Sequence, residues 1–348
     1  MGLEVTYDWQ STIGALVSRR SLSKQEARAA MDEVVGGRAS DAQIAALLVG
    51  LRSKGETAPE IAGMVEAMLG AATTFSYPEP VLDTCGTGGD RHGTFNVSTC
   101  AAFICAGAGA KVAKHGNRAA SSQCGSADVL EALGVEIELG PEGATKCLDE
   151  AGIAFLFARR YHPAMRHAAG VRGELGVPTV MNFLGPLSNP ARAQYQAVGV
   201  SSVEMAPVLA DSLEQLGARH ALVFCAADGL DELSIADVTR VFETSSEGKR
   251  TFDVTPDEVG VVGGTLADIK GGDARVNAEI IRAVLDDVQG PPLEMAVLNA
   301  AAGIVAAGLA DGLPGGVGLA RESISSGRAK AAAENLIRVS QQVKSKDD

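Results

Sequence analysis

Two glycine-rich stretches in the first third of this sequence collect residue types suited to holding an anion. The first reads DTCGTGGDRHGTFNVSTC from Asp83 to Cys100 and supplies Gly86, Gly88 and Gly89, then Asn96, Ser98 and Thr99. The second reads KHGNRAASSQCGSAD from Lys114 to Asp128 and supplies Lys114, His115, Gly116, Asn117, Arg118, Ser121 and Ser122. Glycine lets backbone N–H groups come close to a ligand, and a helix start adds unpaired donors and a favourable dipole. Hydroxyls and cations complete a cradle for phosphate. Neither common nucleotide fingerprint is present: Arg91 stands where the third glycine of a dinucleotide turn belongs, and no GK[ST] closes the run.

Other residues carry two readings each. Asn96 is placed to cap the helix beginning VSTCAAF, which turns Ser98 and Thr99 toward whatever fills the loop. Adjacent Asp231 and Glu232 in DGLDELS are either an acidic surface turn or a seat for Mg2+, which takes few protein ligands and many waters. Arg172, in HPAMRHAAGVRGELG, is either a solvated helix arginine or a guanidinium fork for a carboxylate. The six cysteines contain no CxxC pair and read as buried free thiols, and the five histidines lack metal-ligand spacing.

Positioning such loops takes strands that end at them and helices that start from them. Short apolar runs at Val81–Asp83, Lys111–Ala113, Ala154–Phe157, Gln196–Val200 and Ala221–Cys225 alternate with helical patterns at Asn96–Ala108, Asp128–Leu133, Pro141–Ala151 and Val203–Leu216. That alternation predicts a parallel sheet covered on both faces, with ligands at the C-terminal strand ends. Residues 8–70 read as four short helices, with capping-box spacing at Ser23/Glu26, Ser40/Gln43 and Thr57/Glu60. Pro78 and Pro80 mark a hinge after them. Residues 163–190 interrupt the alternation with a helix over Pro163–Leu175 and a turn-rich stretch beyond it. Further strands are expected at Arg240–Glu243 and Arg250–Val254, then helices at Val276–Val288, Leu293–Leu309 and Val317–Val343.

At 348 residues and 46% hydrophobic content the chain has room for two domains and a sizeable core. Net charge of −13 argues against nucleic-acid and anionic-membrane partners, and the cluster Lys111, Lys114 and Arg118 stands out against it as locally cationic. No apolar run is long enough to span a bilayer and Met1–Gln10 has no signal-peptide core, so a cytoplasmic protein is expected.

The motifs GTGGD (Gly86–Asp90), NVST (Asn96–Thr99), KHGNR (Lys114–Arg118), GSADVLEALG (Gly125–Gly134) and DGLDE (Asp228–Glu232), with HPAMRHAAGVRGELG and NFLGPLSNPA, resemble the anthranilate phosphoribosyltransferase family in order and across nearly the whole chain. The resemblance implies an α/β fold of nucleoside phosphorylase-like architecture: a large domain with a central, mainly parallel sheet (74–162 and 191–348) and a small all-helical domain (1–73 completed by 163–190). It implies transfer of a phosphoribosyl group from phosphoribosyl pyrophosphate to anthranilate in tryptophan biosynthesis, with Mg2+, by a homodimer joined through the small domain. Gly86, Gly89, Asp90 and Thr94 would line the donor site. Asn96, Val97, Ser98 and Thr99 would bind its pyrophosphate, Ser98 also meeting Mg2+. The run Lys114, His115, Gly116, Asn117, Arg118, Ala119, Ala120, Ser121 and Ser122, with Ser126, would complete the cradle. Gly86, Asn117 and Arg172 would meet anthranilate, and Asp231 and Glu232 would hold metal. Lys114 would stabilise the departing pyrophosphate while Arg172 orients the acceptor. Gly170, Pro178 and the Tyr161-His162 pair depart from the family's usual residues near the acceptor approach. A nucleoside phosphorylase of related architecture would instead consume phosphate, and a nucleic-acid-binding relative would need a continuous basic surface; the KHGNR and DGLDE pair and the acidic balance favour the transferase.

Overall fold

Local capping starts the chain's first helices. The structure, a computed structural model, describes residues 7–119 and 123–347, so the expected contacts of Ala120, Ser121 and Ser122 lie outside the described residues. Helix α1 (Trp9–Val17) is capped by the Asp8 carboxylate, and α2 (Lys24–Val35) and α3 (Asp41–Lys54) by reciprocal Ser23/Glu26 and Ser40/Gln43 boxes. At α4 (Ala58–Gly70) the expected box changes its direction. The Thr57 hydroxyl donates to Glu60 (2.7 Å), and the buried Glu60 carboxylate also accepts from the Leu22 and Thr57 amides and from Lys54. One side chain thus ties three segments of the helical unit together.

The sheet follows the order β3-β2-β1-β4-β5-β6-β7. Strands β1 (Leu82–Gly86), β2 (Val112–Gly116), β3 (Ile153–Phe157), β4 (Tyr195–Gly199) and β5 (His220–Ala226) run parallel, and β6 (Thr239–Ser245) and β7 (Gly248–Val254) add an antiparallel hairpin. The chain winds outward from β1 to β3, then returns to place β4 on the other side of β1. That reversal is a topological switch point, where crossovers leave in opposite directions and open a crevice at the C-terminal strand ends. The first glycine stretch leaves β1 and the second leaves β2, beside that crevice.

Between the strands lie α5 (Val97–Gly107), α6 (Ser126–Leu133), α7 (Pro141–Ala151), α8 (Ala158–Tyr161), α9 (Arg166–Leu175), α10 (Met181–Leu187) and α11 (Met205–Gln215). After β7 come α12 (Ala274–Leu285), α13 (Pro291–Ala306), α14 (Leu313–Ser325) and α15 (Arg328–Asp347). Helix α13 is buried along its whole length from Leu293 to Ala306, as a helix apolar on nearly every face must be. Two expectations change here. The single helix expected over Val317–Val343 is broken at Ser326-Gly327, where Gly327 takes φ +78° and ends α14. The turn-rich stretch after Leu175 contains α10, which carries Pro186 in its last turn.

Helices α9 and α10 pack with α1–α4, and their apolar cluster runs on through Val198, Val200, Leu209, Leu213 and Val223 of β4, α11 and β5. A separate cluster fills the sheet's other side around α5 and α13. The chain crossings between the helical part and the sheet are bound side by side: the Thr73 amide donates to the Tyr161 carbonyl (2.8 Å) and the Phe75 amide to that of Pro190 (3.3 Å). Among the described residues no helix is long and apolar enough to cross a membrane. All six cysteines are buried, and none is in a disulfide among the described residues.

Candidate active site

The first loop is shaped by three left-handed glycines, Gly88, Gly89 and Gly93, at φ +71°, +86° and +67°. Its Thr87 amide donates to the Gly199 carbonyl of β4 (2.9 Å) and its Gly88 amide to the Asp231 carboxylate (2.6 Å). A segment of the glycine-rich connection after β7 backs the loop. Phe95 donates to the Ile269 carbonyl, Gly271 donates to that of Gly93, and Thr94 faces Lys270 in an antiparallel bridge. Sequence reasoning placed no site element there, because nothing in a glycine-rich connection announces a pairing partner.

Asn96 precedes α5, but its side chain makes no cap. Instead its Nδ2 donates to the Cys124 carbonyl (3.1 Å) and its Oδ1 accepts from buried Asn277 of α12 (2.8 Å). The Asn277 oxygen accepts from the Gly272 amide (2.8 Å). Two amides therefore tie the first loop to the second and to α12. Ser98 and Thr99 do lie in the first turn of α5. Thr99 is buried, and its hydroxyl has no partner among the described residues. Val97 is buried too, so only its backbone can serve a ligand.

The expected cationic cluster does not assemble. Lys111 precedes β2 at the opposite strand end and donates to the Leu148 carbonyl (2.9 Å). Arg118 is held by Asp128 (2.9 Å) and doubly by Glu131, with its guanidinium over the Phe157 ring. Lys114 is buried beneath the first loop, where its ammonium donates to the Thr84 carbonyl and to Ser98 Oγ (3.2 Å). Burial holds its pKa below the usual lysine range, against the opposing pull of Asp83 and Glu232. Strand alternation explains the dispersal: consecutive residues of β2 leave on opposite faces. His115 accordingly points away from Lys114, with Nδ1 against the Gly185 carbonyl of α10 (3.2 Å) and its ring 5.2 Å from that of His162. Burial pushes His115 down to about 3, and its Nε2 has no partner among the described residues.

The rest of the second loop is organised by Asp128. Its carboxylate accepts from the Ala119 (3.0 Å) and Gly125 (2.9 Å) amides as well as from Arg118. A Cβ on Gly116 would stand 2.1 Å from Ser126 Oγ and 2.9 Å from the Phe155 ring, so a side chain there would have to displace both. Asn117 is exposed, and its oxygen accepts from the Arg118 amide (2.8 Å).

Opposite these loops, Asp231 and Glu232 are both buried. Burial first, then neighbouring Asp90, raises the Asp231 pKa; burial first, then Asp231, raises that of Glu232. The Ser98 amide at the start of α5 pulls the other way on Glu232. One Asp90 oxygen is buried without a partner among the described residues. Two buried carboxylates, with half-buried Asp90 beside Asp231, are offset most readily by a cation. No group of three or more His, Cys, Asp or Glu among the described residues forms a metal cage. Arg172 lies apart, exposed on α9, with no hydrogen bond or ion pair among the described residues; partial desolvation holds its pKa below the usual arginine range. Buried Asp83, which sequence reasoning passed over, joins the layers: it accepts from the His115 amide (3.1 Å) and from Asn189 (2.7 Å) just after α10.

Two cavities, of ≈ 310 and ≈ 260 Å³, open beside β7 and beside Gln196, and neither is lined by these loops. Two family models cover the chain, a glycosyl transferase family helical bundle domain at residues 10–72 and a glycosyl transferase family a/b domain at 78–330. An anthranilate phosphoribosyltransferase of Chloroflexus aggregans is 50% identical over 95% of this chain and 98% of its own length. This chain belongs to the anthranilate phosphoribosyltransferase family. The family enzyme of Moorella thermoacetica is 47% identical over 94% of this chain and 97% of its own. The crystal structure of the anthranilate phosphoribosyltransferase from Thermus thermophilus superposes with a TM-score of 0.89 at 43% identity, covering 94% of this chain and 99% of that one. The Saccharomyces cerevisiae enzyme, in complex with PRPP and Mg, gives 0.87 at 27% identity over 96% and 98%. The family's helical bundle and α/β domain are those seen here. Its reaction moves the 5-phosphoribosyl group from phosphoribosyl pyrophosphate to the amino group of anthranilate, releasing pyrophosphate, in tryptophan biosynthesis.

Proposed function

We propose that this chain carries out that transfer in the crevice at the switch point, with the donor on the two loops and the acceptor approaching from α9. The observation that carries the reading is the buried pair Asp231 and Glu232, with half-buried Asp90 beside Asp231, set against a left-handed glycine loop and the start of α5. Such an arrangement is costly alone and favourable around a metal-bound polyphosphate. Asp231 and Glu232, with Ser98, would hold Mg2+, whose charge offsets that of the pyrophosphate group. The Gly88, Gly89 and Asp90 backbone and the hydroxyls of Thr94, Ser98 and Thr99 would seat the donor phosphates, and the Asn117 to Ser126 loop would close over them. Lys114 works from beneath: it fixes Ser98 Oγ and the end of β1, and its positive charge lies under the place where leaving-group charge develops.

The reaction breaks the bond between C1 of the ribose and the pyrophosphate oxygen, and forms one between C1 and the anthranilate nitrogen. The oxygen keeps the bonding electron pair, and the aryl amine supplies its lone pair and then releases a proton. An aryl amine is neutral at pH 7, so no strong general base is needed. Arg172, free of partners among the described residues, would fork onto the anthranilate carboxylate and turn the amine toward C1. We place the enzyme in the cytoplasm as a homodimer joined through its small helical domain.

Adding anthranilate to the protein with phosphoribosyl pyrophosphate and Mg2+ should release pyrophosphate. The Asp231→Asn/Glu232→Gln double variant should lose at least about a hundredfold in rate, and Arg172→Ala should chiefly raise KM for anthranilate. Full activity in the double variant would remove those carboxylates from the metal role.

A further inference from the structure

Helix α13 is apolar from Met295 to Ala306 except at Asn299, which is almost fully buried. An amide in such a place costs free energy unless its bonds are met, and leucine would pack there without that risk. Asn299 spends its bonds on one residue of the carboxylate turn. Its Oδ1 accepts from the Leu233 amide (2.8 Å), and its Nδ2 donates to the Leu233 carbonyl (2.9 Å) and to Met295 of its own helix (3.0 Å). Both backbone groups of Leu233 are thus met by one side chain, as a neighbouring strand would meet them. Leu233 directly follows Glu232.

The turn needs holding. Asp231 and Glu232 are like charges removed from water, and the relief open to them is for the turn to swing outward. From the crevice side the turn is pressed between strand ends. A Cβ on Gly199 would stand 1.7 Å from the Asp231 carbonyl, and one on Gly86 2.2 Å from Asp231 Oδ2. Those contacts limit how far the turn can move in, and the Gly88 amide draws the Asp231 carboxylate toward the loop. From the core side, Asn299 limits how far it can move out, as does Thr239 Oγ1 of β6, which accepts from the Ser234 amide (3.0 Å). A further anchor, Ser234 Oγ donating to Asp228 Oδ2 (2.6 Å), closes the turn on itself but does not bind it to the core.

We propose that Asn299 is a positioning residue for this reaction: by clamping Leu233 to α13 it keeps Asp231 and Glu232 facing the donor loop, ready for the metal. The proposal rests on the reading of Asp231 and Glu232 as the Mg2+ carboxylates. Asn299 touches neither substrate nor metal, so its loss acts through metal affinity.

The test uses the full chain, with thermal unfolding followed in the presence and absence of Mg2+ and pyrophosphate, and activity titrated with Mg2+. Wild type should be stabilised by the two ligands together. Asn299→Ala should unfold at lower temperature, gain less from the ligands, and need about tenfold more Mg2+ for half-maximal rate, in line with the loss of other supports of metal ligands. Asn299→Leu keeps the branched outline without the polar atoms, guards against simple collapse, and should behave alike. An unaltered ligand-induced gain and Mg2+ requirement in both variants would overturn the proposal, because a merely structural asparagine lowers both baselines equally. Asp231→Asn separates the two readings. If it too keeps the full ligand-induced gain, the metal role of the turn fails and the proposal falls with it; if it alone loses that gain, only the role of Asn299 fails.

Discussion

Burial keeps His115 neutral down to about 3, although an unfolded chain takes up that proton near 6.5. With the folded value below the unfolded one, the stability linked to this residue is complete above pH 6.5 and drains away as pH falls toward 3. Over the interval from 6.5 to 5 the loss comes to about 2 kcal/mol. Urea unfolding of His115→Gln at pH 7 and pH 5 should therefore show a drop smaller than wild type by about that amount; an equal drop would mean that the imidazole is solvated. The same residue illustrates what motif reading resolves at this scale. KHGNR marks the loop, but whether a given side chain meets ligand or core depends on which face of β2 it leaves from. Lys114 and His115 are neighbours in sequence and face opposite layers. Asn96 is a similar case: its type fits a cap, while its amide is engaged by Cys124 and Asn277, residues 28 and 181 positions away.

At the scale of elements, strand ends set the crevice. Gly199→Ala should displace the carboxylate turn, since its Cβ would overlap the Asp231 carbonyl at 1.7 Å, backbone that cannot rotate aside. Overpacking of this kind costs about 1–3 kcal/mol, and Mg2+-dependent turnover should fall with it; a variant of wild-type stability and rate would show that the turn is free to shift. Helices and strands were largely legible, because capping pairs and alternating apolar runs are local signals. The five parallel strands fall within a few residues of their expected places, and the Ser23 and Ser40 boxes form as spaced. What escaped depends on partners distant in sequence. Helix α10 forms among glycine and proline because Val180, Phe183 and Leu184 find the helical core. The stretch Ile269–Gly271 gains meaning only when the first loop pairs with it. The α14–α15 break was legible in principle, since SSGR places a glycine at a C-terminal stop.

For the molecule as a whole, the helical unit and the sheet share one apolar cluster through α11, β4 and β5. The chain's one tryptophan, Trp9, lies buried in α1 with its ring 5.1 Å from that of Tyr7. Its fluorescence therefore reports the helical unit alone, while far-ultraviolet circular dichroism reports all elements. Shared burial should make the two signals change together along a urea titration. A fluorescence midpoint well below the dichroism midpoint would mean that the helices melt off the sheet independently. The junction that links the two is bound at Thr73, Tyr161 and Pro190. Composition foretold the acidic balance and the two-part build, whereas the shared cluster follows only from three-dimensional packing.

The glycines divide the molecule in a way that bears on its future as much as on its chemistry. In the second loop and at the end of β4, Gly125 and Gly199 are hemmed in by backbone at 2.3 Å or less, so almost any replacement there displaces the scaffold itself. On α9 and α10, a side chain added at Gly170, Gly173 or Gly185 would meet nothing within 4 Å. Evolution, or an engineer, thus inherits positions that resist revision beside others with blank space, and under the acceptor placement proposed above new aryl amines would be accommodated by writing on α9 and α10.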